Sequence, residues 1–256
     1  EAEELLRSYR NELKKLKRQK TVRVAAFIGI LLPAFCTILC VNNHYRFRNL
    51  VGMNVQFGSF LIAPFLFSVL LLTMFSLEEQ NGTWKNILTI GISQSTIFLA
   101  KIMAAFTFVL LFSGINTVYT MAGGIVLRNY DPDFGKVFTI FLLASLAAAA
   151  GTMPVVWLIV LLRKKYLIAM IAANSFVMFN FILVWQLTMF RCLSLPLPIL
   201  IAYRIIYPIS ILEYTDNLRA GLDTLYYPAG KGILILTLTA VSSILLGVWT
   251  GKRQEG

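Results

Sequence analysis

Two adjacent carboxylates, one histidine and three cysteines are the residues of this sequence best suited to chemistry. Glu78 and Glu79 form an acidic pair of the kind that supports hydrolysis in membrane-embedded proteases, where an arginine and several histidines accompany it. Here position 83 is Thr, and His44 is the only histidine. No cluster of His, Cys and Asp suggests a metal site either. We therefore predict that the chain is not an enzyme and holds no metal.

The cysteines are expected to have a structural role. Cys36 and Cys40 lie one helical turn apart in an apolar stretch, which favours two small buried side chains. Cys192 lies near the predicted outer surface, and a disulfide between Cys40 and Cys192 is conceivable but not favoured. These positions do not indicate a redox compartment.

The composition indicates that the elements carrying these residues lie in a membrane. Hydrophobic residues make up 58% of the 256 residues, and the mean hydropathy is +0.74. A helix needs roughly 20 apolar residues to cross a hydrocarbon core of about 30 Å. Six stretches meet this length: 22–41, 55–77, 95–122, 137–162, 166–190 and 232–250. We predict an all-α polytopic membrane protein with six transmembrane helices, forming a single domain over residues 1–256.

Proline and glycine predict irregularities within the spans. Pro33 and Pro64 should kink the first and second spans, because proline lacks the backbone N–H that a helix interior requires. The sequence Gly151-Thr152-Met153-Pro154 should break the fourth span. The pair Gly123-Gly124 should end or bend the third.

The distribution of basic residues predicts the orientation. With both termini in the cytoplasm, the cytoplasmic segments hold fifteen of the 23 Lys and Arg residues, most densely at 14–20 and 163–165. This bias follows the positive-inside rule. The net charge of +11 then reflects topology and attraction to anionic lipid, and nucleic-acid binding is not needed to explain it.

Residues 1–21 predict an amphipathic helix at the membrane surface. Leu5, Tyr9, Leu13 and Leu16 recur at helical spacing and form an apolar stripe. Acidic residues open the segment and basic residues close it, as the helix dipole prefers. The segment is either a plain anchor or an element that transmits force.

A second amphipathic helix is predicted between the second and third spans, within residues 78–94. Apolar residues recur at i, i+3 and i+4 from Trp84 and would share one face. Glu78 and Glu79 would open this helix, where carboxylates interact favourably with the dipole. The alternative is a connector without further function.

The outer region 191–230 is apolar but unsuited to a regular span. It contains Pro196, Pro198, Arg204 and Pro208, and a seventh crossing would place the basic C-terminus outside. A re-entrant or interfacial element is therefore predicted, which could form a lid or an exit for an amphiphilic molecule, or a hydrophobic cap that stabilises the bundle.

The spans contain few groups that could drive transport. No Asp, Glu, Lys or Arg falls near the centre of a predicted span except Lys101, which lies near the inner end of the third, whereas ion-coupled transporters usually place ionisable groups at membrane depth. Asn116, Asn174, Asn180 and Gln186 are expected to form hydrogen bonds between helices. The sequence has no phosphate-binding G-x-x-x-x-G-K-[ST] loop, so any ATP hydrolysis must come from another subunit.

The order of elements resembles the permease subunit of ABC-2 type exporters: an amphipathic helix, two spans, a surface helix and four further spans. Residues 78–93, which include Gly-Thr-Trp-Lys and Ile-Ser, resemble the bacitracin-resistance and lantibiotic-immunity branch, with Lys101 as the downstream lysine of that pattern. Gly91 stands where that branch tends to have proline.

The resemblance implies a set of partners and roles. Residues 78–94 would be a coupling helix that docks on a cytoplasmic ATPase, through Glu78, Glu79, Gly82, Thr83, Trp84 and Lys85. Residues 5–20 would be a connecting helix that also touches the ATPase. Two ATPase copies, which bind ATP and Mg, would move two identical or related permeases and expel an antimicrobial peptide across a bacterial plasma membrane. The alternative function is a membrane sensor or scaffold that binds a peptide without transporting it.

Overall fold

The computed structural model describes residues 2–17, 19–80, 93–127, 133–187, 197–210 and 227–253, and every regular element in these ranges is helical. A π-helical segment, Val55–Ile62, joins two of the ten α-helices. The α-helices are α1 Ala2–Lys17, α2 Lys20–Asn42, α3 Phe47–Asn54, α4 Ala63–Gln80, α5 Gln94–Val126, α6 Phe134–Gly151, α7 Pro154–Leu161, α8 Tyr166–Leu187, α9 Pro198–Ser210 and α10 Ala229–Arg253.

Six of the described helical stretches are long and apolar enough to cross a bilayer, which confirms the predicted fold class. They are Lys20–Asn42, Phe47–Ser76, Gln94–Val126, Phe134–Gly151, Tyr166–Trp185 and Ala229–Gly251, here called spans one to six. Each overlaps one predicted stretch. Their apolar side chains form two cores, one around Leu70 and Ala105 and one around Leu50 and Phe141. Cys36 and Cys40 are buried, as predicted.

The second span differs from its prediction in where it begins. It starts at Phe47, because Phe47, Leu50 and Val51 are buried in the second core even though Arg48 and Asn49 lower the local hydropathy. The π-helical segment follows and ends at Ile62, and α4 begins at the next residue. Pro64 is the second residue of α4. Because Pro64 has no N–H to donate, the α-helical hydrogen bond to the carbonyl of Phe60, four residues earlier, is missing. The irregularity predicted from Pro64 therefore takes the form of a wider helical turn.

The predicted break in the fourth span is present, whereas the predicted end of the third is not. Thr152 and Met153 form a turn between α6 and α7, and Pro154 begins α7, where its missing N–H costs nothing. The third span continues past Gly123-Gly124 to Val126. Gly123 allows close packing instead, since a Cβ there would lie 2.2 Å from Thr37 Oγ1 in the first span.

α9 lies inside the bundle. Ile199 to Ala202 are buried, and a Cβ on Gly151 would lie 2.8 Å from Ile199 Cα. Gly151 ends α6, about 26 Å along that helix from its first residue at 1.5 Å per residue. Further along α9, Ile205 packs on Gly232 near the start of the sixth span. This placement favours the re-entrant alternative over the interfacial one.

The asparagines at membrane depth do not behave as predicted. Asn180 Nδ2 donates to the Phe176 carbonyl of its own helix, at 2.7 Å. Asn116 is fully buried, and neither its Oδ1 nor its Nδ2 has a hydrogen-bond partner among the described residues. The prediction of interhelical hydrogen bonds is therefore wrong for both residues. In the part of the chain that the structure describes, Asn174 Oδ1 also has no hydrogen-bond partner, and the side chain of Gln186 lies outside that part.

Candidate functional site

Four charged side chains from three elements meet at one end of the bundle. α1 contributes Glu12 and Lys15, the last described turn of α4 contributes Glu78, and α5 contributes Lys101. We call these four residues the ion cluster. The elements that carry them are the predicted amphipathic helix, the second span and the third span.

Each carboxylate of the ion cluster contacts both ammonium groups. Lys101 Nζ lies 2.8 Å from Glu78 Oε1 and 3.3 Å from Glu12 Oε2. Lys15 Nζ lies 2.7 Å from Glu12 Oε1 and 2.8 Å from Glu78 Oε1. Two negative and two positive charges therefore balance within a single contact network.

Burial makes the ion cluster costly to disrupt. The Lys101 side chain is 0% exposed, and those of Glu12 and Glu78 are 6% and 7% exposed. The Lys101 ammonium also lies 5.6 Å from the centre of the Phe75 ring, a favourable cation–π distance. Removing one partner of a buried ion pair typically costs 3–5 kcal/mol, because the other charge is left uncompensated. The ion cluster thus fixes α1 and spans two and three relative to one another.

Lys15 connects the buried charges to the surface, since about half of its side chain is exposed. Burial lowers the pKa of Lys15, but hydrogen bonds to the carboxylates of Glu12 and Glu78 outweigh that effect and raise it above the ordinary value of 10.5. Lys15 is therefore positively charged at neutral pH.

A second ion pair joins the same turn of α4 to the loop after α7. Arg163 Nε lies 3.8 Å from Glu79 Oε2, and Arg163 is only 5% exposed. Sequence reasoning treated Arg163 as part of a solvated basic loop that marks topology. Its burial gives it a second role, as a link between the end of α7 and the end of α4.

The predicted helix start at Glu78 is wrong. Glu78 and Glu79 belong to α4, the helix of the second span, which is described as far as Gln80. The carboxylates therefore lie at the C-terminal end of α4, which is the negative end of its dipole. Lys101, Lys15 and Arg163 balance their charge instead.

The apolar stripe of α1 packs on protein. Leu16 is fully buried, and Tyr9 and Leu13 pack against the first core. Tyr9 Oη lies 2.8 Å from Thr107 Oγ1 in the third span. Leu5 is half-buried. Ala2–Lys17 is therefore helical with its apolar face on the third span, and its location at the membrane surface stays a prediction.

The remaining residues predicted for ATPase coupling, Gly82, Thr83, Trp84 and Lys85, lie outside the described residues. Sequence reasoning missed Glu12 and Lys15 as partners of Glu78. One signal was available, since a lysine well inside an apolar span requires a nearby carboxylate. The sequence did not indicate which carboxylate, because the partners of Lys101 lie 23 and 89 positions away along the chain.

The six membrane-spanning helices agree with the result of a comparison with protein families. Residues 9–182 match the family model described as ABC-2 family transporter protein, which covers more than half of the chain. The chain belongs to this family. All four residues of the ion cluster, and the Glu79–Arg163 pair, lie within the matched range. No curated protein sequence matched the chain.

Membership of the ABC-2 family establishes a coarse function. The chain is a multi-pass transmembrane subunit of a transporter, the membrane component rather than the ATPase. It works with an ABC ATPase. Among the described residues, no group of three or more His, Cys, Asp or Glu side chains could hold a metal ion.

Proposed function

We propose that this chain is the permease of an ATP-driven exporter that expels a lantibiotic or other antimicrobial peptide from the membrane, for self-immunity or resistance. The observation that carries the proposal is the ion cluster. It connects Glu78, which directly precedes most of the proposed coupling residues, to α1 and to the third span. A displacement of residues 78–94 would therefore reach two other elements through short contacts between charges.

In this mechanism, residues 78–94 contact the ATPase through Glu78, Glu79, Gly82, Thr83, Trp84 and Lys85. Closure of two ATPase subunits around ATP and Mg displaces this segment. Because buried ion pairs are costly to separate, Lys101 and the third span move together with Glu78. Arg163 passes the same displacement to the fourth span through Glu79. α1 takes part as the connecting helix.

The proposed orientation places both termini in the cytoplasm of a bacterial cell. The excess of Lys and Arg in the corresponding segments supports it. The ion cluster and Arg163 supply a geometric argument, because they bring α1, the end of the second span and the loop after α7 to one end of the bundle. The proposed ATPase contacts then all lie at the cytoplasmic end of the bundle. A second permease, identical or related, completes the transporter.

Two features support an amphiphilic peptide as substrate. The first is the resemblance of residues 78–93 to permeases of the lantibiotic-immunity branch. The second is α9, an apolar helix of thirteen residues that lies beside α6 and is too short to cross a bilayer. An apolar element that extends partway through the bundle suits a substrate leaving from within the lipid.

The proposal is tested by measuring ATP hydrolysis of the purified permease–ATPase complex with and without lantibiotics. We expect peptide-stimulated hydrolysis, and we expect Glu79→Ala and Trp84→Ala to abolish the stimulation while the complex still assembles. Glu4→Ala serves as the matched control, because Glu4 is an exposed carboxylate on α1 outside the ion cluster. That variant should retain full stimulation.

Three results would contradict the proposal. Stimulation that persists in Glu79→Ala and Trp84→Ala would remove these residues from coupling. Stimulation by lipid or by a drug but by no peptide would exclude the substrate class. Peptide binding without any effect on hydrolysis would favour the alternative, a sensor or scaffold that signals to a partner.

A further inference from the structure

An apolar groove of about 580 Å³ runs between spans one, two and five. Val24 and Ile28 line it from the first span, Ile62 and Val69 from the second, and Met178 from the fifth. Its volume falls in the range of about 300–1,000 Å³ that is usual for ligand sites. The groove has no part in the ion cluster.

Polar residues line one end of the groove. Lys20 and Thr21, at the start of the first span, are its polar lining residues. Lys20 is exposed, and within the described residues neither its ammonium group nor the Thr21 hydroxyl has a hydrogen-bond or ion-pair partner. Arg23 is exposed one turn further along. An anion with an apolar tail is the ligand that this arrangement suits.

The length of the groove matches one leaflet of a bilayer. Its lining covers nine residues on each of spans one and two, Lys20 to Ile28 and Leu61 to Val69, which is a length of about 12 Å at 1.5 Å per residue. Half of a hydrocarbon core of 30 Å is about 15 Å. A groove of this length that begins at the membrane surface next to α1 would end near the middle of the bilayer.

We propose that the groove binds one anionic phospholipid, with an acyl chain along Val24, Ile28 and Ile62 and the headgroup phosphate at Lys20 and Thr21. The lipid comes from the leaflet next to α1, which is the cytoplasmic leaflet in the proposed orientation. Basic pockets between transmembrane helices bind such headgroups through their charge. A second copy of this chain is the other occupant, which the variants described below distinguish from a lipid. This inference does not depend on the transported substrate.

Native mass spectrometry of the purified complex, titrated with phosphatidylglycerol or phosphatidylcholine, tests the proposal. We expect phosphatidylglycerol to be retained in preference to phosphatidylcholine. Lys20→Gln should weaken its retention about fivefold, as expected for loss of one basic residue near a lipid headgroup. Lys14→Gln is the matched control, since Lys14 is an exposed lysine on α1 that does not line the groove.

A second pair of variants tests occupancy of the groove itself. Val24→Trp should fill the groove and abolish specific retention, whereas Ile38→Trp should not, because Ile38 lies on the same helix outside the groove. Both positions are more than half exposed, so neither change disturbs the core. Equal retention of both lipids, or no effect of Lys20→Gln and Val24→Trp, would overturn the proposal. Dissociation of a permease pair in Val24→Trp alone would show that a second copy covers the groove.

Discussion

At the scale of single residues, Lys101 has the most demanding environment. Its ammonium group is fully buried and is compensated by two carboxylates from other elements and by the face of Phe75. Lys15 supplies the fourth charge and remains half in solvent. A buried charge is tolerated only with such compensation, so each member of the ion cluster depends on the others.

This dependence predicts a large effect of Lys101→Met. We expect the free energy of unfolding to fall by about 3–5 kcal/mol, because Glu12 and Glu78 would remain buried after losing one of the two lysines of the ion cluster. Lys14→Met, on an exposed lysine, should change it by less than about 0.5 kcal/mol. Chemical denaturation of the purified protein in detergent measures both.

The double variant Lys101→Met/Glu78→Gln provides the decisive comparison. Removing both charges should recover part of the stability lost in Lys101→Met, because the uncompensated carboxylate is gone. If the two changes were simply additive, Lys101 and Glu78 would not interact in the folded protein.

At the scale of elements, the π-helical segment creates an unusual contact between spans two and three. A Cβ on Gly58 would meet Asn116 Nδ2, so any larger residue at position 58 would force the buried Asn116 amide to move. Next to Gly58, Ser59 forms a hydrogen bond with Ser145 of the fourth span at 3.1 Å. The segment therefore brings three spans together through small and polar side chains, as in many membrane helix interfaces.

Gly58→Ala should destabilise the protein by about 1–3 kcal/mol, as is usual for overpacking. Asn116→Ala should cost much less, because the amide that it removes has no hydrogen-bond partner among the described residues. Combining the two should restore most of the loss. Gly52→Ala is the control, since a Cβ there would have nothing within 4 Å. Thermal unfolding monitored by size-exclusion chromatography gives the ranking, and a double variant no better than Gly58→Ala would refute the contact.

α9 offers a second test at this scale. Gly151→Ala should displace α9, because the new methyl group would meet the backbone of Ile199 at 2.8 Å and cannot be accommodated by a side-chain rotation. We expect a lower melting temperature and faster proteolysis between the fifth and sixth spans. Gly114→Ala, with no atom within 4 Å of the new Cβ, should leave both unchanged. Equal behaviour of the two variants would mean that α9 does not pack on Gly151.

At the scale of the whole molecule, the proposed orientation can be measured. In a cysteine-free background, Asn42→Cys should react with a membrane-impermeant thiol reagent on intact cells, whereas Glu4→Cys should react only after permeabilisation. Both positions are exposed. Asn42 is the last residue of the first span, and Glu4 lies in the first turn of α1. The positive-inside rule gives the expected direction. The reverse labelling pattern would invert the topology and exclude ATPase contact with α1.

Hydropathy predicted the six spans because burial in lipid requires a long run of apolar residues, and each segment contains that run in its own sequence. The break at Pro154 was equally local, since proline lacks a backbone donor wherever it occurs. Gly123 and Glu78 were misjudged because their roles depend on distant partners: Thr37 across a helix interface, and Lys101 and Lys15 across three elements. Local patterns carry no information about such pairings.

The ion cluster also has a consequence for swapping parts between transporters. A chimera that receives residues 78–94 of another permease keeps Lys101 and Lys15. The ammonium groups of both lysines contact the carboxylate at position 78. A donor segment without an acidic first residue would leave two lysines facing Glu12 alone. A functional graft of the segment should therefore include the donor's own N-terminal helix and the start of its third span, so that the unit of exchange is larger than the segment itself.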